Sequence, residues 1–163
     1  MANRRITVYY GQGRGKSAAA LGAGLKASAI GKSTIMISFL KGKCDEQIMD
    51  YCKTLNPEIK FFTFEKGREY YEDLDEDAKA DVKRDIMNGL AYTRKVLSTG
   101  ECQMLILDEA LGLIDEGVID ATELINMLHA GIGEADIIIT GRKLPDEIRE
   151  AADAVYMIST DKE

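Results

Sequence analysis

Two kinds of apolar pattern alternate along the chain. Short runs rich in β-branched and aromatic residues, each closed by glycine, proline or polar residues, predict strands at 5–10, 34–40, 59–64, 103–108, 135–140 and 154–158. The second of these is apolar almost throughout, as strands covered on both faces are. Between them lie stretches that read as helices. The first, 17–30, is built of small residues (Ala18, Ala19, Ala20, Gly22, Ala23, Gly24, Ala27), a slim surface for close packing on a sheet. Its two internal glycines each cost about 1 kcal/mol relative to alanine, and Gly31 is its expected stop. A short helix at 45–55 ends before Asn56-Pro57. Ala78, Val82, Ile86, Leu90, Thr93 and Leu97 recur at helical steps and predict one long amphipathic helix. The charged stretch 65–77 before it, with Tyr70-Tyr71, is long enough for a lid or substrate wall. Helices are further expected at 111–114, 119–129 and 145–152, the last with proline at its start. Strands alternating with helices, without hairpin signals, predict an α/β fold: a mostly parallel sheet of about six strands with helices on both faces.

The candidate chemistry lies at the ends of these strands. Tyr9-Tyr10-Gly11-Gln12-Gly13-Arg14-Gly15-Lys16-Ser17 joins the first predicted strand to the first helix. Its three glycines allow a sharp turn and a close approach of backbone N–H groups to an anion. Lys16 supplies a point charge and Ser17 a hydroxyl for Mg²⁺, and the helix start adds its dipole and unpaired N–H groups. Counted against the common G-x-x-x-x-G-K-[ST] pattern, Tyr10 stands where the first glycine should be and Gly11 comes one residue late. A shorter or differently shaped loop is therefore expected.

Met104-Leu105-Ile106-Leu107-Asp108-Glu109 ends an apolar strand in paired acids. Such acids read equally as helix caps or first-turn residues. Beside Gly15-Lys16-Ser17 they suit Mg²⁺, which takes few protein oxygens and keeps water and phosphate as its other ligands. Lys41-Gly42-Lys43 and Arg142 leave the carboxyl ends of two further strands, where ligands of open α/β sheets lie. The lysines read as anion contacts or as a solvated loop. Arg142 reads as a fork onto phosphate or carboxylate, or as half of a structural ion pair. His129, near a helix C-terminus, reads as a dipole-compatible surface residue rather than a base.

A length of 163 residues without a linker-like stretch predicts one domain over 1–163, a nucleotide-binding unit. A chain of this size buries about 70% of its unfolded surface. The net charge of −7 excludes a general attraction to nucleic acid or anionic membranes, so small molecules or proteins are the expected partners. Cys44, Cys52 and Cys102 lack C-x-x-C spacing, which argues against a disulfide framework and a zinc ribbon and for thiols in a reducing compartment. The N-terminal residues lead into a strand without a signal-type apolar core, and no apolar run approaches the length of a membrane span. A cytoplasmic location is expected.

The segments 8–17, Phe39-Leu40-Lys41-Gly42, Phe62-Thr63-Phe64-Glu65, Leu107-Asp108-Glu109 and Thr140-Gly141-Arg142, with Pro145 and Ala152-Asp153 following, occur in an order and spread that resembles the ATP:corrinoid adenosyltransferases. The offset glycine is itself a feature of that family, and Phe64 stands where it usually carries tryptophan. The resemblance implies a P-loop NTPase of RecA-like, three-layer architecture. It also implies ATP as co-substrate with Mg²⁺, a corrinoid acceptor reduced to Co(I), transfer of the 5′-deoxyadenosyl group, and release of tripolyphosphate in cobalamin biosynthesis or salvage. Carried over by resemblance, Gly11, Gln12, Gly13, Arg14, Gly15 and Lys16 cradle the phosphates, and Ser17 and Glu109 serve Mg²⁺ with Asp108 beside them. Lys16, Ser17 and Glu109 are then the catalytic residues, Lys41 and Arg142 secondary phosphate contacts, and Phe62 and Phe64 part of an apolar wall under the corrinoid. A homodimer and an electron donor of reductase or flavodoxin type are also implied.

Such a reaction presents C5′ of the ribose to a cobalt nucleophile and treats the triphosphate as leaving group, so it needs no side-chain nucleophile or general base. Two other readings stay open: a phosphotransferase or ATPase in which Glu109 orients water, and a nucleotide-binding module without catalysis, its charged 65–77 loop contacting a protein partner. A thymidine-kinase-like enzyme loses support from the missing zinc-binding cysteine pairs.

Overall fold

The six apolar runs assemble into one sheet. In the computed structural model, which describes residues 4–39, 45–64, 73–131 and 133–163, the strands are β1 (Ile6–Tyr10), β2 (Thr34–Ser38), β3 (Ile59–Thr63), β4 (Met104–Asp108), β5 (Asp136–Gly141) and β6 (Ala154–Met157). Their order is β3-β2-β4-β5-β1-β6. Every pairing is parallel, so all carboxyl ends lie along one edge. The helices are α1 (Lys16–Ala29), α2 (Glu46–Lys53), α3 (Glu76–Thr99), α4 (Ala110–Asp115), α5 (Ala121–Ala130) and α6 (Asp146–Ala151).

The alternation of side chains along the strands divides the core in two. Met36, Ile106 and Ile138 pack with Ala20 of α1 on one face. Ile35, Ile37, Leu105, Leu107, Ile137 and Ile139 face the other way, toward Ile86 and Leu90 of α3, Leu111 of α4, Leu124 of α5 and Ile148 of α6. Helices thus cover both faces, giving the three layers of a P-loop-type α/β protein. The small residues of α1 let it cover its side of the sheet closely, as its composition predicts.

Helix starts differ from the apolar pattern where a cap decides them. Asp75 accepts a hydrogen bond from the Ala78 N–H at 2.8 Å and starts α3 two residues before the first apolar position. Asp120 caps α5 in the same way, accepting from the Glu123 N–H at 2.8 Å, and starts it at Ala121, two residues later than expected. Gly100, at φ 66°, closes α3 in the left-handed conformation.

Cys52 and Cys102 are buried, unpaired thiols. Burial pushes both up, Cys102 to about 11, so they behave as small apolar residues. No described helix is long and apolar enough to cross a membrane. Lys41, Gly42, Lys43, Cys44 and Tyr70-Tyr71, with residues 65–72 of the anticipated lid, lie outside the described residues.

The strand order separates the two motif strands. β1, which feeds the glycine-rich loop, and β4, which ends in the acids, are not neighbours; β5 runs between them.

Candidate functional site

The loop between β1 and α1 is shaped by β6 as much as by any ligand. Beyond the last paired residues of β1 and β6, the Ile158 N–H donates to Tyr10 O at 2.7 Å and the Gly13 N–H donates to Ile158 O at 2.9 Å. The Gly11 N–H donates to Gly141 O at 3.1 Å. A Cβ on Gly11 would stand 2.3 Å from Ile158 O, and one on Gly13 would stand 2.8 Å from the Ser159 carbonyl carbon. These two glycines are required because another backbone passes against them, and their N–H groups go to carbonyl oxygens of the fold rather than toward an anion. Contact with the Ile158–Ser159 backbone thus accounts for these two glycines before any ligand is considered. It also explains the late first glycine, since the β6 backbone comes closest at Gly11. Gly15 differs: it caps α1 at φ 103°, and a Cβ there would have nothing within 4 Å. It turns the chain so that the open N-terminus of α1 faces the cavity.

Lys16 is 9% exposed, and its Nζ donates to Gly13 O at 2.7 Å, which folds the side chain back over the loop. Ser17 Oγ donates to Asp108 Oδ1 at 2.8 Å. That contact joins the loop to the acid strand across the width of β5. Asp108 is only 3% exposed, and the same Oδ1 accepts a second hydrogen bond, from Thr140 Oγ1 at 2.7 Å. Thr140 Oγ1 in turn accepts the Glu109 N–H at 2.8 Å. Glu109 has φ 62° and ψ 21°, the left-handed region that L-residues with a Cβ seldom occupy. A turn of this kind lets the strand end at Asp108 and α4 begin at Ala110.

Of these groups, Lys16, Ser17 and Glu109 line a cavity of about 640 Å³, within the range of small-molecule sites, and Asp108 and Thr140 stand behind them. Gln12, Arg14, Lys16 and Ser17 form one wall, Glu109 and α4 another, and Arg142 and Lys143 a third. Arg142 therefore shares the cavity with the loop. At this rim it is Lys143 that makes an ion pair, with Asp115 at 3.2 Å. The hydroxyl and carboxylates of Ser17, Asp108 and Glu109 are hard oxygen donors. Among the described residues no three His, Cys, Asp or Glu side chains form a self-contained metal cage. This donor set fits an ion such as Mg²⁺ that arrives with phosphate oxygens of its own.

Phe62 and Phe64 do not line this cavity. They are half-buried at β3, the outer strand, against Tyr92 of α3, with ring centroids at 4.7 and 5.9 Å. Gly89 permits that contact, because a Cβ there would lie 2.8 Å from Phe64 Cγ and from Phe39 Cε1.

Sequence reasoning names Thr140 within the Thr140-Gly141-Arg142 segment without giving it a role, and does not single out Asp115 or the Ile158–Ser159 backbone as parts of the site. Thr140 carries a signal: a hydroxyl that follows the buried run Ile137–Ile139 must find a partner. Asp115 lies on a short helix with no motif, and the approach of β6 is visible only in space.

A family profile described as ATP:corrinoid adenosyltransferase BtuR/CobO/CobP matches residues 2–163. The corrinoid adenosyltransferase CobA of Salmonella typhimurium is 27% identical over 154 residues, covering 92% of this chain and 74% of that protein. The corrinoid adenosyltransferase of Escherichia coli is 24% identical over 151 residues, with 92% and 74% covered. An uncharacterized protein of Nostoc, all2391, is 27% identical over 161 residues, 91% of this chain but 42% of its own length.

Proposed function

The chain belongs to the ATP:corrinoid adenosyltransferase family, and from that premise we propose that it transfers the 5′-deoxyadenosyl group of MgATP to a Co(I) corrinoid and releases tripolyphosphate. The observation that carries this reading is the Ser17–Asp108 hydrogen bond at 2.8 Å, which ties the phosphate loop to the acid strand beside Lys16 and Arg142 in one cavity.

In the reaction the cobalt electron pair forms the Co–C5′ bond, and the C5′–O bond breaks with its electrons passing to the triphosphate. No proton is transferred. The work of the protein is to hold and neutralise the leaving group. The N–H groups at the start of α1, from Gly15 onward, meet phosphate oxygens with the positive end of the helix dipole. Lys16 exchanges the Gly13 carbonyl for phosphate, and Arg142 forks onto it from the opposite wall. Mg²⁺, held by Ser17 and Glu109 with Asp108 behind them, would supply further charge neutralisation on the departing oxygens. Lys41 belongs to the same anion-binding reading.

The corrinoid is assigned to the aromatic edge of β3, where Phe62 and Phe64 offer an apolar wall beneath the ring. Removing water from the lower face favours a cobalt centre without its lower ligand, which is easier to reduce. A homodimer and a reductase or flavodoxin-type electron donor complete the proposal.

The test is incubation with MgATP and a chemically reduced corrinoid, following the cobalt spectrum and the phosphate products. A light-sensitive alkyl-cobalt product with tripolyphosphate is expected. ADP formed without corrinoid would instead mean phosphoryl transfer, and binding without turnover a non-catalytic module.

A further inference from the structure

The strand inserted between the loop strand and the acid strand brings one polar side chain to the gap. Thr140 lies one residue past the Leu107–Ile139 pair of β4 and β5, and opposite Tyr9 of β1. We propose that Thr140 is the positioning residue of the cation site, its hydroxyl setting the direction of both Ser17 and Glu109. The inference rests on the MgATP reading above.

Proton count fixes the directions of these hydrogen bonds. A hydroxyl has a single proton and two lone pairs. The Glu109 N–H can only donate, so Thr140 Oγ1 accepts it and must point its own proton at Asp108 Oδ1. That oxygen also takes the Ser17 proton. Ser17 is thereby left to meet a cation with lone pairs rather than with a proton, which is the polarity a metal requires. A carboxylate free to turn would not enforce it, and the hydrogen bond from Thr140 restrains Asp108.

Glu109 is held by the same hydroxyl. An L-residue with a Cβ seldom adopts the left-handed region, and the hydrogen bond from the Glu109 N–H to Thr140 helps to keep it there. The turn presents Glu109 to the cavity. Thr140 is completely buried, so it acts on substrate only through these two neighbours.

Thr140→Val keeps the shape and removes both hydrogen bonds; Thr140→Ser keeps the hydroxyl. With Mn²⁺ in place of Mg²⁺, Thr140→Val is expected to weaken Mn²⁺ binding to the ATP complex by about 10–100-fold, the usual effect of removing a partner behind a metal ligand, and to alter the Mn²⁺ spin-resonance spectrum. Metal-free ATP affinity should stay within about threefold, the loss being confined to the metal-dependent part of the binding free energy. Amide exchange at Glu109 in the ligand-free protein should quicken. Thr140→Ser should restore all three. If Thr140→Val does not fold, Thr140→Ala makes the same comparison. Unchanged Mn²⁺ affinity in the valine or alanine variant overturns the proposal, and so does a serine variant as impaired as valine, which would mean that the methyl group matters instead. Wild-type protein that binds Mn²⁺·ATP without alkylating a corrinoid would overturn the proposed reaction and, if the variants behave as stated, support Thr140's role. Wild-type protein that fails to bind Mn²⁺·ATP would overturn both.

Discussion

The centre of the sheet and its β3 edge hold their motif residues by different forces. At the centre, Lys16, Ser17, Asp108, Thr140 and Glu109 are fixed by short, directed hydrogen bonds among buried and half-buried groups. At the edge, Phe62 and Phe64 are held by ring contact with Tyr92 and by the absence of a Cβ at Gly89. Hydrogen bonds specify direction and leave oxygens aimed at a cavity, so the central geometry carries information about the ligand. Ring packing specifies mainly that water is excluded, and the same arrangement serves a core or a binding wall. The geometry therefore supports the nucleotide half of the proposed reaction more directly than the corrinoid half.

The sharpest break is Lys16→Ala. Loss of the principal cation on the leaving group should lower transfer by about 10³-fold, the upper end for a single stabilising donor, with little change in Tm. Full activity in that variant would remove the assignment. Gly13→Ala comes next, as its Cβ would meet the Ile158–Ser159 backbone, which cannot yield as a side chain can. A stability loss of about 2 kcal/mol is expected from such overpacking, together with weaker MgATP binding; wild-type Tm would show that β6 does not shape the loop.

Phe62→Ala tests the edge directly. If Phe62 and Phe64 form the corrinoid wall, kcat/KM for the corrinoid should fall about tenfold while KM for MgATP stays constant, a loss of uniform binding to one substrate only. Lower stability with an unchanged corrinoid KM would reduce the edge to packing. The smallest effect is Gly89→Ala. Crowding against Phe39 and Phe64 costs about 1–3 kcal/mol and the gain in helix propensity returns about 1 kcal/mol, so a net Tm decrease of a few degrees is expected, measured by thermal melting. A rise in Tm would mean that the aromatic cluster is loosely packed.

Most elements are legible in the sequence because their signals are local. A β-branched run such as Ile35–Met36–Ile37 or the repeat from Ala78 to Leu97 declares its period within one element. Lys16, Ser17, Asp108 and Glu109 are legible because phosphate and Mg²⁺ chemistry demand those residue types at strand ends. The reason for Gly11 and Gly13 is not, because the groups that exclude a Cβ lie about 145 residues further along the chain in a segment that nothing local connects to the loop.

By itself the sequence determined an α/β alternation, a phosphate-type loop and a pair of acids, since each depends on periodicity or on neighbours in the chain. Only the tertiary structure decided that β5 lies between the two motif strands and that β6 runs against the loop. Strand order is a relation between distant segments, settled by which apolar faces pack together. That order turns Thr140 from an ordinary β-branched residue into the link between the acids and the loop, and makes two of the three glycines a requirement of the fold.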